Sequence, residues 1–122
     1  MGKILIVDDN KEMRHKYRRL LEKMKLEVLE ASDALEVVEV LMRNSRELDL
    51  ILLDIQMPEV DGRGIHEIVS DYISSVPIVI SSVLPVREQK LRIPRARDYF
   101  DKADGDQVFS KKVKAILGLS ST

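Results

Sequence analysis

The chain has 122 residues, 44% of them hydrophobic, and a formal net charge of −1. This length suits one domain with its own core, and the near-neutral charge gives no overall electrostatic reason to bind nucleic acid or a membrane. Cysteine is absent, which excludes disulfide bonds. No apolar run approaches the roughly 20 residues that span a bilayer, and no signal-peptide core precedes the first acids. We expect a single cytoplasmic domain over residues 1–122.

Apolar runs and helical stripes alternate along the first half of the chain. Residues 3–7 predict a buried strand, β1, and apolar residues at helical spacing over 13–24 predict helix α1. A weaker alternating pattern at 26–30 predicts strand β2. Helix α2 is expected to begin near Asp33, because Glu36 stands three residues later as in a capping box. The apolar positions of α2 include Leu35, Val38, Leu41 and Met42.

The alternation continues in the second half. Residues 50–53 predict strand β3, and apolar positions over 65–73 predict helix α3. Pro77 precedes strand β4, predicted at 78–81. The stretch 85–93 is bounded by prolines and predicts a helix α4 that is short or irregular.

A brief strand and a longer helix complete the pattern. Residues 98–100 predict strand β5. Helix α5 is expected to begin near Gly105, with Asp104 as its cap, and to end at Gly118. Five strand–helix units of this length require a parallel sheet with right-handed crossovers. We therefore predict an α/β fold, a five-stranded doubly wound parallel sheet of order 2-1-3-4-5 with five helices.

Carboxylates follow two of the predicted central strands. Asp8 and Asp9 come directly after β1, and Asp54 follows β3. A single acid at such a place is most often a turn former or a helix cap. Three acids at one sheet edge repel each other, by ~4 kcal/mol per pair at 4 Å and an effective dielectric near 20. A hard divalent cation relieves this repulsion, and oxygen ligands suit Mg²⁺.

Two further polar residues end the next two strands. Ser82 follows β4 and Lys102 follows β5. A hydroxyl donor and a fixed cation that face a cluster of metal-bound carboxylates describe a site for a phosphoryl group.

These residues resemble the receiver domain of two-component response regulators, a chemotaxis-Y-like domain with a flavodoxin-like fold. The resemblance spans the chain, in the segments ILIVDDN, LILLDIQMPEVDG, PIVISS and DYFDK. It implies a phosphorylation-dependent signalling switch and not an enzyme, with intrinsic autodephosphorylation at most. Asp54 would accept a phosphoryl group from the phosphohistidine of a histidine kinase or a phosphotransfer protein.

The resemblance also implies a metal site. Asp9, Asp54 and the backbone carbonyl of Gln56 would bind Mg²⁺ directly, and Asp8 would act largely through water. Because these ligands surround the phosphoacceptor, catalysis would consist of positioning and charge neutralisation.

On the signalling side, the resemblance gives three residues a role. Lys102 would pair with the phosphoryl oxygens, Ser82 would move in to hydrogen-bond them, and Tyr99 would swing inward behind it. Ser81 is interpreted as a strand residue that faces a helix, because the spacing from Pro77 places the switch hydroxyl on Ser82.

The α4–β5–α5 face would then carry the signal to a downstream protein or to a second copy of the chain. This region is basic, but no base-stacking aromatic residues are interleaved, so a protein surface is favoured over direct nucleic-acid binding. Its basic residues from 87 to 97 are Arg87, Lys90, Arg92, Arg95 and Arg97.

Three departures from the family pattern lie on the same side. Val83 follows the switch hydroxyl, where a very small residue is usual, and we expect it to crowd the phosphoryl pocket. Ala103 follows the lysine, where proline is usual, so the Lys102–Ala103 peptide is expected to be trans, or cis only under strain. The α4 region is short and is interrupted by Pro94.

Two other functions stay open. One is a Mg²⁺-dependent phosphohydrolase with an aspartyl nucleophile, like the haloacid-dehalogenase enzymes. Their motif places the second acid two residues after the first, whereas Asp9 here follows Asp8 directly. The other is a pseudo-receiver, a binding module that works without phosphorylation. The three acids, Ser82 and Lys102 argue against it.

Overall fold

The fold is seen in a computed structural model, which describes residues 2–44, 46–56, 62–72 and 76–119. Of residues 62, 63 and 70–72, the backbone alone is described. The elements are β1 (Lys3–Val7), α1 (Lys11–Lys23), β2 (Glu27–Ala31), α2 (Ala34–Asn44), β3 (Leu50–Leu53), α3 (Gly62–Tyr72), β4 (Ile78–Ser82), α4 (Val86–Arg92), β5 (Asp98–Asp101) and α5 (Asp106–Leu117).

All five strands pair in parallel in one sheet of order β2-β1-β3-β4-β5. The predicted fold and strand order are thus confirmed, and β1 and β3 have the predicted bounds. Strand β2 lies one residue further along the chain than expected. Strands β4 and β5 each extend one residue further, to Ser82 and Asp101, so the predicted switch hydroxyl belongs to a strand and not to the loop that follows it.

Two hydrophobic cores cover the two faces of the sheet. Because side chains alternate along a strand, Leu5 and Val7 face one core while Ile4 and Ile6 face the other. The first core is completed by helices α2 and α3 and by the residue that follows α4, through Val37, Leu41, Ile65, Val69 and Ile93. The second is completed by α1 and α5, through Tyr17, Leu21, Phe109 and Val113.

Aromatic rings fill the second core. Tyr17 of α1 stacks on Phe109 of α5 with ring centroids 4.6 Å apart, and Phe100 meets Phe109 edge to face at 5.4 Å. The hydroxyl of Tyr17 is 2.7 Å from Ser81 Oγ, where either atom could be the donor. Ser81 therefore faces helix α1, as the sequence predicts, and burial raises the pKa of Tyr17 to about 12 against the opposing effect of the Ser81 bond.

The predicted cap of α5 is wrong. Gly105, with φ of 89° and ψ of 172°, is the residue before the helix and makes no side-chain cap. Asp104 instead ends a 3₁₀ turn over Lys102–Asp104, which Asp101 caps by accepting from the Ala103 N–H at 2.9 Å. A positive φ favours glycine because it has no Cβ. Helix α5 does end at a left-handed Gly118, as predicted.

Helix α2 turns a different side to the core than its apolar positions suggest. Leu35 and Met42 are exposed, whereas Val37 and Leu41 are buried. The capping box is half formed. Asp33 accepts from the Glu36 N–H at 2.8 Å, but the Glu36 carboxylate accepts from the N–H and the hydroxyl of Ser32 and not from Asp33.

Helix α4 is short, as predicted. Among the described residues, no helix is long and apolar enough to cross a membrane.

Candidate phosphoryl and metal site

Three carboxylates meet at the C-terminal edge of the sheet. One oxygen each from Asp8, Asp9 and Asp54 lie within 4.8 Å of one another. Their meeting follows from strand pairing, because Val7 is in register with Leu53 and the Asp54 N–H donates to the Val7 carbonyl at 2.9 Å. Asp8 and Asp54 are 1% and 4% exposed, while Asp9 is open to solvent.

Lys102 reaches across from the end of β5 to the buried pair. Its Nζ lies 2.9 Å from Asp8 Oδ2 and 3.3 Å from Asp54 Oδ2. Burial on its own lowers the pKa of the Lys102 ammonium, but its hydrogen bond to Asp8 and the charges of both acids outweigh this and raise the pKa above its ordinary value. The lysine is therefore a fixed cation between the two carboxylates.

Asp54 is a carboxylate held in an unfavourable place for its charge. Burial raises the pKa of Asp54 to about 6, and the neighbouring charge of Asp8 adds to the rise. The Gln56 N–H, which donates to Asp54 Oδ1 at 2.9 Å, and the ammonium of Lys102 both oppose it. Because one ammonium does not balance three acids, the site favours an added cation.

The backbone and an arginine hold Asp8. Asp8 Oδ1 accepts from the Asn10 N–H at 2.9 Å, and Arg14 Nη1 donates to the Asp8 backbone carbonyl at 2.7 Å. Arg14 is itself fixed by an ion pair with Glu30 of β2 at 2.9 Å. The sequence analysis missed this role, because Arg14 lies among six basic residues in and around α1 that are typical of a solvated surface. No sequence signal separated it from them.

The donor set fits Mg²⁺. Two buried carboxylates and one exposed carboxylate supply oxygen atoms only, which is the ligand type that hard divalent cations prefer. Asp9, on the open side, leaves a path by which an ion enters. Gln56 is exposed and lies two residues after Asp54, and the metal role of its carbonyl stays a prediction. Residues 57–61, which carry the Met-Pro and Asp-Gly part of the motif, lie outside the described residues.

The predicted switch residues, Ser82 and Tyr99, are bonded to the backbone of the region around α4. Ser82 is fully buried, and its Oγ accepts from the Leu84 N–H at 3.1 Å. In the part of the chain that the structure describes, no hydrogen bond joins Ser82 to Asp54. Tyr99 is already buried, and its hydroxyl donates to the Ile93 carbonyl at 2.5 Å.

Two departures from the family pattern have a clear structural outcome. No cis peptide occurs among the described residues, so the Lys102–Ala103 bond is trans, and the lysine still reaches both acids. Val83 is 67% exposed. Its side chain does not crowd a packed interior, which removes the overpacking argument for its effect on the pocket.

The α4–β5–α5 face combines basic residues with an exposed apolar one, Leu91. Within this face, Asp98 accepts from Lys112 of the same chain at 3.2 Å. Lys90 lies over the ring of Tyr99, 5.8 Å from its centroid. The face thus carries one internal ion pair that any partner must displace or accommodate.

Comparison with known proteins agrees with this geometry. The family model described as the response regulator receiver domain matches residues 4–114. The protein PilH of Pseudomonas aeruginosa is 30% identical, and the alignment covers 96% of this chain and 98% of PilH. A two-component response regulator structure from Clostridium difficile superposes with a TM-score of 0.88 at 26% identity over the whole of both chains. The response regulator TrrA of Thermotoga maritima, solved in complex with Mg²⁺-BeF, gives a TM-score of 0.83 at 24% identity, covering 95% of this chain and 99% of TrrA. This chain belongs to the response regulator receiver domain family.

Proposed function

We propose that Asp54 is the phosphoacceptor of this receiver domain and that a histidine kinase or a phosphotransfer protein is its donor. The observation that carries the proposal is a buried carboxylate, Asp54, that shares one pocket with two other acids and a lysine. An oxygen of Asp54 attacks the phosphorus of the donor's phosphohistidine. The P–N bond breaks, and the imidazole nitrogen leaves with the electron pair.

The acids hold the metal ion that this transfer requires. Asp9, Asp54 and the Gln56 carbonyl would bind Mg²⁺ directly, and Asp8 would contribute largely through water. When bound, the ion would supply positive charge that neutralises the phosphoryl oxygens. Oxygen ligands from Asp8, Asp9 and Asp54 within 4.8 Å support this assignment, and so does the similarity to TrrA, which was solved with Mg²⁺-BeF.

Lys102 supplies the second positive charge. Its ammonium now contacts Asp54 Oδ2 at 3.3 Å, so it stands where it can pair with phosphoryl oxygens on the same carboxylate. Ser82 then moves in to hydrogen-bond the phosphoryl group, and Tyr99 packs behind it. The buried position of Tyr99 supports this packing.

The signal leaves through the α4–β5–α5 face. Residues 1–122 act as a single receiver domain in the cytoplasm, and the partner is a downstream protein or a second copy of the chain, without direct contact to nucleic acid or membrane. Support comes from the order of the elements, since α4 and β5 follow directly on Ser82 and carry Tyr99. Any hydrolysis is the slow self-removal of the phosphoryl group from Asp54.

Labelling with acetyl phosphate tests the assignment. In the presence of Mg²⁺, the intact mass should increase by one phosphoryl group, and Asp54→Ala or EDTA should abolish the increase. Asp49→Ala is the matched control. Asp49 is an acid at the opposite end of the sheet, where its carboxylate accepts from the Lys3 N–H. This variant should label like the parent. Undiminished labelling of the Asp54→Ala protein would exclude Asp54 as the phosphoacceptor.

A further inference from the structure

Gln89 is a polar residue in the middle of α4 with none of its surface exposed. Burying an amide is unfavourable unless its polar atoms find hydrogen-bond partners. Helix α4 has seven residues, and at this position an aliphatic side chain would contribute to the core without such a requirement. The partners of Gln89 therefore indicate what the residue does.

The Gln89 amide joins two strand ends. Its Nε2 donates to the Leu84 carbonyl at 2.7 Å and to the Phe100 carbonyl at 2.9 Å. Leu84 lies two residues after Ser82, and Phe100 lies two residues before Lys102. One side chain thus ties the loop that follows the switch hydroxyl to the strand that leads to the lysine.

The other half of the amide is unused. Within the described residues, Gln89 Oε1 is buried and has no hydrogen-bond partner. The two carbonyl groups fix the orientation of the amide, because a flipped amide would direct its oxygen at both of them. The bond to Leu84 is therefore the contact by which Gln89 holds the loop, and the bond to Phe100 holds the amide itself in place.

The bonds of the loop show what must change when Ser82 moves. Ser82 Oγ accepts from the Leu84 N–H, so the hydroxyl and the backbone of Leu84 are coupled. The carbonyl of Leu84 is held in turn by Gln89. When Ser82 moves toward Asp54 and the backbone of Leu84 moves with it, the hydrogen bond between Gln89 and Leu84 lengthens.

We propose that Gln89 is a positioning residue of the phosphorylation switch, whose bond to Leu84 holds the loop in its unphosphorylated position and is released when Ser82 moves. The proposal rests on the proposed function of Asp54 and Ser82. Gln89 touches no reacting atom and acts through the loop. Its bond to Phe100 persists in both states and keeps α4 on β5.

Affinity for beryllofluoride, a phosphoryl mimic, tests the proposal. Gln89→Met keeps the length of the side chain and removes the amide. Because apparent affinity scales with the population of the binding-competent state, losing one net hydrogen bond from the resting state should tighten binding at saturating Mg²⁺ by roughly two- to tenfold. Affinity for Mg²⁺ alone should not change, since the acids are untouched. Equal or weaker binding of beryllofluoride by Gln89→Met would overturn the proposal.

A control variant separates positioning from general stability. Leu41→Ala removes a buried side chain of α2 from the first core, against which Leu84 also packs. It should therefore lower stability while leaving the affinity for beryllofluoride at the parent value. A parent protein that binds no beryllofluoride would overturn the proposed function together with this proposal. Normal binding by the parent with no change in Gln89→Met overturns this proposal alone.

The unmodified protein offers a second measurement that does not depend on the variant folding. In NMR spectra, the two Nε2 protons of Gln89 should both be protected from solvent exchange in the resting state. Saturation with Mg²⁺ and beryllofluoride should shift one of them and speed its exchange, while the other stays bonded to Phe100. If both protons keep their shifts and protection, the bond to Leu84 is not released and the proposal is wrong.

Discussion

Two parts of the site are held in place by different forces. We call Asp8, Asp54 and Lys102 the acid half, and Ser82, Leu84 and Gln89 the signalling half. Asp8 and Asp54 follow adjacent central strands and share the ammonium of Lys102. Ser82 is held by neutral hydrogen bonds that run through Leu84 to Gln89, each with a net contribution of about 1 kcal/mol. Charge and strand pairing thus fix the site proposed for the phosphoryl group, while weaker bonds hold the loop that we propose responds to it.

Removing the shared cation is the strongest way to break the acid half. Lys102→Met leaves two buried carboxylates without their partner, so we expect it to destabilise the protein by about 3–4 kcal/mol in EDTA. Urea unfolding at pH 7.5 measures this change. Millimolar Mg²⁺ should stabilise the variant more than the parent, because the dication takes over part of the ammonium's role.

Lys112→Met is the matched control for this experiment. It removes a lysine from the partly exposed pair with Asp98, and pairs of this kind contribute about 0–1 kcal/mol. If both variants lose the same stability, the acids do not depend on Lys102, and the contrast between the two halves of the site fails.

Neutralising Asp54, the proposed phosphoacceptor, should have the opposite and somewhat smaller effect. Burial raises the pKa of Asp54 from 3.8 to about 6, so the folded protein binds a proton between these values that the unfolded chain does not. This stabilisation is present below about pH 4 and is lost as the pH rises through 6. Asp54→Asn should therefore stabilise the protein by about 3 kcal/mol at pH 7.5 in EDTA, at about 1.4 kcal/mol per pKa unit.

The pH dependence distinguishes this effect from a simple change of packing. In urea unfolding, the gain from Asp54→Asn should shrink toward zero near pH 4, where the parent carboxyl is protonated. A gain that stays constant from pH 4 to 7.5 would show that the charge of Asp54 is not its cause.

The smallest effect is expected at the mouth of the signalling half. The overpacking expected at Val83 would slow labelling of Asp54 about tenfold, but its side chain is 67% exposed. An exposed valine shields the pocket at most, so Val83→Ala should speed labelling by acetyl phosphate less than about threefold, which corresponds to under about 0.7 kcal/mol on the barrier. A tenfold acceleration would restore Val83 as a gate.

The sequence predicted the features that depend on long apolar runs. Strands β1 and β3 are buried on both faces, so their runs are uninterrupted and their ends are marked by Asp8 and Asp54. The cap of α5 was missed because Asp101, Asp104 and Asp106 all surround its start. Composition does not show which of them caps which turn, and the positive φ of Gly105 decides it.

Residues that act through tertiary contacts were harder to predict. Gln89 looks like any polar residue of a surface helix, and only the meeting of α4 with β5 reveals that it is buried. Arg14 is one of many basic residues in its segment until Asp8 and Glu30 are seen beside it. On α2, four apolar positions were evident, yet the sheet selects Leu41 and leaves Leu35 exposed.

The reach of Lys102 has a consequence for how the protein folds. Its partners Asp8 and Asp54 lie 94 and 48 residues earlier in the chain. During synthesis both carboxylates are made before the cation that balances them, and contacts between such distant residues form late because loop closure opposes them. The arrangement of Lys102 with Asp8 and Asp54 that the proposed phosphoryl chemistry needs is therefore complete only after β5 has joined the sheet.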